Sequence, residues 1–271
     1  MPNNYFTRIY RGEPKRLSKA LALLYPDLSY RILEGLLDRR DVFVDGVRAE
    51  KNALIADGQS VSLYITPSLL RIRTIYQNEN ILLLYKPKGI ESDGEMSFAG
   101  LARFCFGDVM LMHRLDTNTD GLLLFAKTQQ AYDVLYRAMK EGRIIKYYRA
   151  LVYGEMHPCE LQGYLFKDSK EGRVYIADEP SRGAVKVTCR VVNSLFQNGV
   201  SQIEIELHGG KTHQLRAQLA HSGHFILGDG KYGDDRINRT MGYKKQQLTA
   251  YRMVFCLPDN ILGLEVTDVS M

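Results

Sequence analysis

The chain has no C-x-x-C pair. Its four cysteines, Cys105, Cys159, Cys189 and Cys256, are scattered through 271 residues. That spacing excludes the paired thiols of a zinc ribbon or a dithiol redox centre, and it predicts reduced core thiols in a cytoplasmic protein. His213, His221 and His224 do not have a standard zinc spacing either, and no cysteine lies near them, so no metal is expected. Long apolar runs are missing too. Ile81-Leu82-Leu83-Leu84-Tyr85 falls far short of the roughly 20 residues that span a bilayer. Met1-Pro2-Asn3-Asn4-Tyr5 lacks the basic-then-apolar pattern of a secretory signal. A membrane or secreted protein is therefore not expected. There is no internal repeat and no low-complexity tract.

Charge of one sign is also scarce. Lys plus Arg number 36 against 31 Asp plus Glu, a net +5 with His neutral. This excess permits a polyanionic partner without demanding one. What is present is an ordinary globular balance, 45% apolar and 25% charged, in a length that suits one large domain or two unequal ones. The charge is unevenly placed. Residues 1–75 hold 12 basic and 8 acidic side chains, and residues 76–271 hold 24 and 23. A solvated basic face explains this as simply as phosphate binding does.

The first quarter has the pattern of a compact α+β module. Leu17, Leu21 and Leu24 recur at helical spacing, as do Ile32, Leu33, Leu36 and Leu37, with Ser29 as the expected N-cap of the second helix. Val42 and Val44 lead into an Asp45-Gly46 hairpin turn, and Val61, Leu63 and Ile65 alternate as a strand. Pro67 and residues 68–74 read as a connector. Arg16-Leu17-Ser18-Lys19-Ala20-Leu21, Leu28-Ser29-Tyr30-Arg31, Asp41-Val42-Phe43-Val44-Asp45-Gly46 and Asp57-Gly58-Gln59-Ser60-Val61 together resemble the small RNA-binding domain named after ribosomal small-subunit protein four. Asp41 and Asp45 stand where members usually carry glycine and asparagine. The resemblance implies a domain over residues 1–68 that places Arg16, Lys19, Arg31, Arg39 and Arg40 against phosphates.

From residue 75 onward the signals are short strands joined by turns. Ile81–Leu84 and Leu122–Ala126 are apolar runs of strand length. Val185, Val187, Cys189 and Val191 alternate, as do Ile203, Ile205 and Leu207. Residues 128–141 predict a helix capped by Thr128, with Ala131, Val134, Leu135 and Ala138 on one face. A short helix is predicted from near Thr212, and a last strand pair over 247–256 and 261–267. The expected architecture is α+β: a mixed, largely antiparallel sheet flanked by helices and loops over 75–271, plus the small N-terminal α+β domain.

Polar residues gather at the strand ends, where a rigid scaffold presents a site. They are Lys86-Pro87-Lys88-Gly89, His113-Arg114-Leu115-Asp116 with Thr119 to Leu123, Lys146-Tyr147-Tyr148-Arg149-Ala150, and Thr212-His213-Gln214-Leu215-Arg216 followed by Gly223-His224, Ile226 to Asp229 and Tyr232-Gly233. By itself, an Asp in a turn is usually a turn former, and Tyr148 or Arg216 would by default be packing or a solvated charge. The four strings, in this order and over about residues 76–268, closely resemble the RluA-type pseudouridine synthases. Two departures stand out: Asp120 lies where that family usually has serine or a small residue, and Ile90-Glu91-Ser92-Asp93 follows Gly89 where the family usually continues with apolar residues and then His or Ser.

The resemblance implies an enzyme that isomerises uridine in ribosomal or transfer RNA, with no cofactor and no metal; oligomeric state is open, with a monomer as the default. Asp116 is then the catalytic carboxylate, Arg216 the guanidinium that orients it, and Tyr148 the platform under the detached uracil. His113, Arg114, Leu115, Lys86, His213 and Gln214 are the expected substrate-binding residues, with Arg114 placed to fill the space of an extruded base. Lys86, Lys88, Arg114, Lys211 and Arg216 form the local basic cluster. Two other readings are open on the residues alone. One is a hydrolase pairing Asp116 with Asp120 or Asp93. The other is a non-catalytic RNA-binding protein led by the basic module.

Overall fold

The computed structural model describes residues 5–26, 28–65, 72–94, 97–168, 171–258, 262–263 and 268–271. The chain divides into two compact units, Met1–Arg73 with Glu91–Val109, and Thr74–Ile90 with Met110–Met271.

The first unit holds strands β1 (Tyr5–Ile9), β2 (Lys15–Arg16), β3 (Val42–Val44), β4 (Val47–Arg48), β5 (Leu54–Ile55) and β6 (Ser60–Tyr64), and helices α1 (Leu17–Leu24), α2 (Tyr30–Asp38) and α3 (Phe98–Phe106). Four strands form a sheet in the order β1-β6-β3-β4, and β2 pairs with β5. The helical stripes bury Leu17, Ala20 and Leu21 from α1 and Leu33, Leu36 and Leu37 from α2, together with Val42, Val61 and Leu63 of the sheet. Asp45 and Gly46 both take positive φ, 49° and 78°, the backbone of a two-residue hairpin turn. Asp45 also accepts from the Ser60 N–H and hydroxyl and from Gln59 Nε2, so it ties this turn to β6. Ser29 occupies the expected cap position, but its side chain makes no cap bond; its carbonyl accepts from the Ile32 and Leu33 N–H groups. Helix α3 is capped by Ser97, whose hydroxyl accepts from the Gly100 N–H. The segment 91–109 was expected to run with residues 75–271. It packs instead with the first unit, where Phe104 stacks on Phe6 at 3.9 Å between centroids and meets Tyr25 edge-on.

The second unit contains β7 (Arg73–Gln77), β8 (Ile81–Lys86), β9 (Met110–Leu111), β10 (Asp120–Ala126), α4 (Gln129–Lys140), β11 (Ile144–Tyr153), β12 (Cys159–Asp168), β13 (Arg173–Ala177), β14 (Val185–Gln197), β15 (Val200–His208), α5 (Gln214–His221), α6 (Asp235–Thr240), β16 (Leu248–Phe255) and β17 (Asp268–Ser270). Its sheet runs β13-β12-β14-β15-β11-β16-β10-β8-β7, with β9 beside β10 and β17 beside β16. β10 and β16 are parallel, and the other strands whose register is defined pair antiparallel, so the sheet is mixed and largely antiparallel.

Thr128 caps α4 by accepting from the Ala131 N–H. The apolar stripe Ala131, Leu135 and Ala138 packs on Leu122, Leu124, Ile81, Leu83 and Ile144. Burying Leu135 alone contributes about 2 kcal/mol. Helix α5 starts at Gln214, with His213 and not Thr212 at its cap. The predicted strand 247–256 is β16. The predicted strand 261–267 and the connector around Pro67 fall mostly outside the described residues. No helix among the described residues is long and apolar enough to cross a membrane.

Candidate active site

Asp116 lies in the turn that feeds β10. Its carbonyl accepts from the Thr119 N–H at 3.0 Å, closing the turn. Thr119 is buried and its hydroxyl accepts from Gln246 Nε2 at 2.7 Å, which pins the turn from the β16 side. The Asp116 side chain is partly exposed, as a group that must meet a substrate has to be.

Arg216, the third residue of α5, reaches this carboxylate across the sheet end. Its Nη1 donates to Asp116 Oδ2 at 2.8 Å. Its other two contacts go elsewhere: Nε donates to Asp229 Oδ2 at 2.6 Å and Nη2 to Asp229 Oδ1 at 2.9 Å. Asp229 has no exposed side-chain surface and also accepts from the N–H groups of Lys231 and Tyr232. Burial pushes its carboxyl up, but the Arg216 guanidinium and those N–H groups outweigh burial and hold it below the usual range. For Arg216, burial opposes the charge, and the two carboxylates more than restore it. The guanidinium carbon stands 5.0 Å from the centre of the Tyr232 ring, whose hydroxyl is 3.0 Å from His213 Nδ1. His213 has left-handed backbone (φ 54°) and brings Nε2 to 4.0 Å from Asp116 Oδ1.

Tyr148 and Lys146 share the buried face of β11, which alternates from Ile144 to Val152. The pairing with β16 bulges between Tyr147 and Tyr148: Tyr147 lies opposite Arg252 and Tyr148 opposite Ala250. Such a bulge re-aims a side chain next to a site. Burial, and then the Asp116 charge, drive the Tyr148 phenol well above its ordinary value, so the ring is neutral and within electrostatic reach of the carboxylate. His113 Nε2 accepts from the Leu124 N–H at 3.2 Å. Burial and the nearby Lys146 charge push the imidazole down to about 3, which makes it a neutral positioning group and not a base at neutral pH.

The Arg216 guanidinium thus joins Asp116 by one nitrogen and the buried Asp229 by two, and the Asp116 charge is felt at the buried Tyr148. The family model for RNA pseudouridylate synthase matches residues 80–221. This chain belongs to the RNA pseudouridylate synthase family. An uncharacterized RNA pseudouridine synthase of Mycoplasma genitalium is 32% identical over 68% of this chain and 64% of its own length. Ribosomal large subunit pseudouridine synthase D of Buchnera aphidicola is 27% identical over 88% of this chain and 81% of that one. Ribosomal large subunit pseudouridine synthase C of Rickettsia typhi is also 27% identical, over 93% and 92%. The fold is shared with human RNA pseudouridylate synthase domain containing 1, at a TM-score of 0.62 and 23% identity over 74% of this chain and 83% of that one.

Within this pseudouridylate synthase fold, several expected contact residues turn out to be scaffold. Lys86 is fully buried, and its ammonium donates to the carbonyls of Pro87, Ile90 and Thr117 at 3.0, 2.8 and 3.3 Å. It braces the loop after β8 against the Asp116 turn and leaves no donor for RNA. Gln214 is buried as well: its Oε1 accepts from the Lys211 N–H and its Nε2 donates to Thr188 O and Gln218 Oε1. Lys88 donates to the Gln246 carbonyl at 2.6 Å. Leu115 is buried beside Asp116. Arg114 is exposed next to the carboxylate, with no ion pair among the described residues. The expectation that Arg216 is committed mainly to Asp116 is corrected by its fork on Asp229. Asp229 and Tyr232 were visible in the sequence only as parts of a string, with no role attached.

Asp120, the other carboxylate considered near Asp116, is already engaged. Tyr85 Oη and Thr249 Oγ1 each donate to it at 2.7 Å, and Lys88 lies at 3.7 Å. In the first unit Arg16, Lys19, Arg31 and Arg40 are exposed, whereas Arg39 is paired with Asp41 at 3.2 Å.

Proposed function

We propose that the chain converts uridine in structured RNA to pseudouridine with Asp116 as the catalytic carboxylate. The observation that carries this reading is the junction at Arg216: one nitrogen on Asp116, two on the buried Asp229. A carboxylate so oriented suits attack on, or stabilisation of, the reacting nucleoside. In the isomerisation the N1–C1′ bond breaks and a C5–C1′ bond forms. The C5 proton leaves to solvent and N1 gains one, so no redox partner or cofactor enters. Tyr148 supplies the stacking surface under the freed uracil, which tolerates in-plane rotation. Arg114 is the residue placed to occupy the space of the extruded base or to hold its phosphate.

The relatives named for the ribosomal large subunit favour ribosomal RNA over transfer RNA as the substrate. The first unit is read as an RNA-binding domain like that of ribosomal small-subunit protein four, and the enzyme as a cytoplasmic monomer. A hydrolase using two carboxylates is disfavoured by the hydrogen bonds that already occupy Asp120. The test is RNA tritiated at uridine C5. Tritium release with the strand intact is expected, and Asp116→Asn should abolish it. Strand or base loss, or activity surviving in the Asn variant, would overturn the reading. Mapping pseudouridines in ribosomal and transfer RNA from cells lacking the gene decides the substrate.

A further inference from the structure

Asp116 spends one carboxylate oxygen on the protein and leaves the other open. Oδ2 accepts from Arg216, while Oδ1 accepts no hydrogen bond among the described residues. Facing Oδ1 at 4.0 Å is His213 Nε2, which has no hydrogen-bond partner among the described residues either. Neither side chain is sealed: His213 is 18% and Asp116 23% exposed, so a ligand can reach the space between them.

The surroundings decide which nitrogen of the imidazole carries the hydrogen. Tyr232 Oη accepts from the Val174 N–H of β13 at 2.9 Å, and its own hydrogen is free for His213 Nδ1 at 3.0 Å. The two rings meet edge to face at 77°. Burial, with the Arg216 and Lys231 charges, outweighs the pull of Asp116 and keeps the imidazole below its ordinary value. The ring is therefore neutral at neutral pH and has one N–H. With Nδ1 accepting from Tyr232 and a carboxylate beside Nε2, that hydrogen belongs on Nε2.

A donor and an acceptor thus face each other across a space too wide for a direct bond. An oxygen at about 2.8 Å from each fits between them. It has to accept from Nε2–H and donate to Oδ1. A carbonyl or phosphate oxygen cannot donate, and a base N–H cannot accept; a hydroxyl does both. In a uridine inside an RNA strand O3′ and O5′ are esterified, so the free hydroxyl is the one at C2′.

We propose that the target ribose 2′-hydroxyl bridges His213 Nε2–H and Asp116 Oδ1, with Tyr232 as the residue that positions the imidazole, and that this bridge selects RNA over DNA. This rests on the pseudouridylation reading. The bridge brings C1′, the neighbour of C2′, beside the carboxylate, where the glycosidic bond is exchanged. Being donor and acceptor at once is the property by which a 2′-hydroxyl distinguishes RNA from DNA. A site built to hydrogen-bond a substrate hydroxyl rejects the analogue that lacks it. The bridge moves no proton and forms no covalent bond.

The test uses RNA tritiated at uridine C5, with ribose, 2′-deoxyribose or 2′-fluororibose at the mapped target position alone. The fluoro sugar keeps the ribose pucker but cannot donate. The two analogues also act in opposite directions on the lability of the glycosidic bond, so a loss on both reports the missing hydroxyl. Wild type is expected to lose about 100-fold in kcat/KM on each. His213→Phe keeps a ring without a donor. It should lose a similar factor on ribose and then treat ribose and deoxyribose alike. His213→Gln, whose Nε2 can donate, should recover part of the rate and part of the ribose preference. Tyr232→Phe, which releases the imidazole, should keep only part of that preference. Wild type turning over the deoxyribose target as fast as ribose would show that the space holds only water and overturns the proposal, whether or not the variants fold. A ribose preference in His213→Phe equal to that of wild type overturns it as well. In both cases wild type still releases tritium from ribose RNA and the parent reading stands; no release from ribose RNA overturns both.

Discussion

Asp229 fixes Arg216 by two nitrogens and leaves Nη1 to define where Asp116 points. Asp229→Asn removes the charge and keeps the shape. The guanidinium then has one carboxylate in place of two, and its fork loses rigidity. A loss of roughly 10- to 100-fold in kcat is expected, with KM for RNA nearly unchanged, because small misplacements at a reacting centre cost this much. Breaking a buried pair should also cost about 3 kcal/mol, read from urea denaturation. If kcat is unaffected while stability falls, Asp229 is only structural. His113 makes a pH prediction. Its folded value is about 3, below the usual 6.5. Between these values the unfolded chain binds a proton that the folded chain refuses. Its contribution to stability is therefore complete above about pH 6.5 and is lost as pH falls towards 3. His113→Gln, whose amide oxygen can still accept from the Leu124 N–H, should show a shallower fall in urea midpoint over that range. An identical pH profile in the two proteins would refute this.

At the scale of elements, the site depends on where β10, β16 and β11 meet. Ala250 is opposite Gly121 in the parallel pairing and opposite Tyr148 in the antiparallel one. A Cβ on Gly121 would stand 2.1 Å from the Ala250 carbonyl oxygen, and the backbone there has φ 124°. Gly121→Ala must therefore push β16 away and displace Tyr148 with it. Destabilisation of about 3 kcal/mol or more and a matching loss of kcat are expected; near-normal denaturation would show that the strands can separate without cost. The elements that can be read from the sequence are those with one clean apolar face, α1, α2, α4, β6 and β15, and those that are unbroken apolar runs, β8 and β10. Helix α3 was missed because its buried residues, Phe98 to Ala102, run consecutively and show no helical period. Helix α6 buries only Asn238, and β12 is mostly exposed, so neither carries a period to detect. The strings around Asp116 and Arg216 were legible because they are contiguous. The fork on Asp229 was not, because no spacing of residues reveals that two side chains on a helix and a later loop share hydrogen bonds.

At the scale of the whole molecule, the charge of +5 is less available to RNA than its sum implies. In the first unit Arg11 faces Asp57 at 3.5 Å, Arg39 faces Asp41, and Lys51 donates to Asp38 at 2.7 Å. The exposed cations without such a partner among the described residues include Arg16, Lys19 and Arg31, at the starts of α1 and α2. In the second unit Lys86 and Lys88 are turned inward on carbonyls. If the first unit grips phosphates, the grip belongs to these few free side chains. Each phosphate contact adds about 0.7 to 0.9 to the slope of log affinity against log salt. Changing Arg16, Lys19 and Arg31 together to Gln should therefore lower that slope by about 2. Affinity should fall most at low salt, and kcat at saturating RNA should be unchanged, because none of the three belongs to the Asp116 site. Arg39→Gln, already paired in the free protein, should lower the slope by much less. Equal slopes for wild type and the triple variant on structured ribosomal RNA would remove the first unit from RNA binding, and the basic excess of the first quarter would then be a solvated surface.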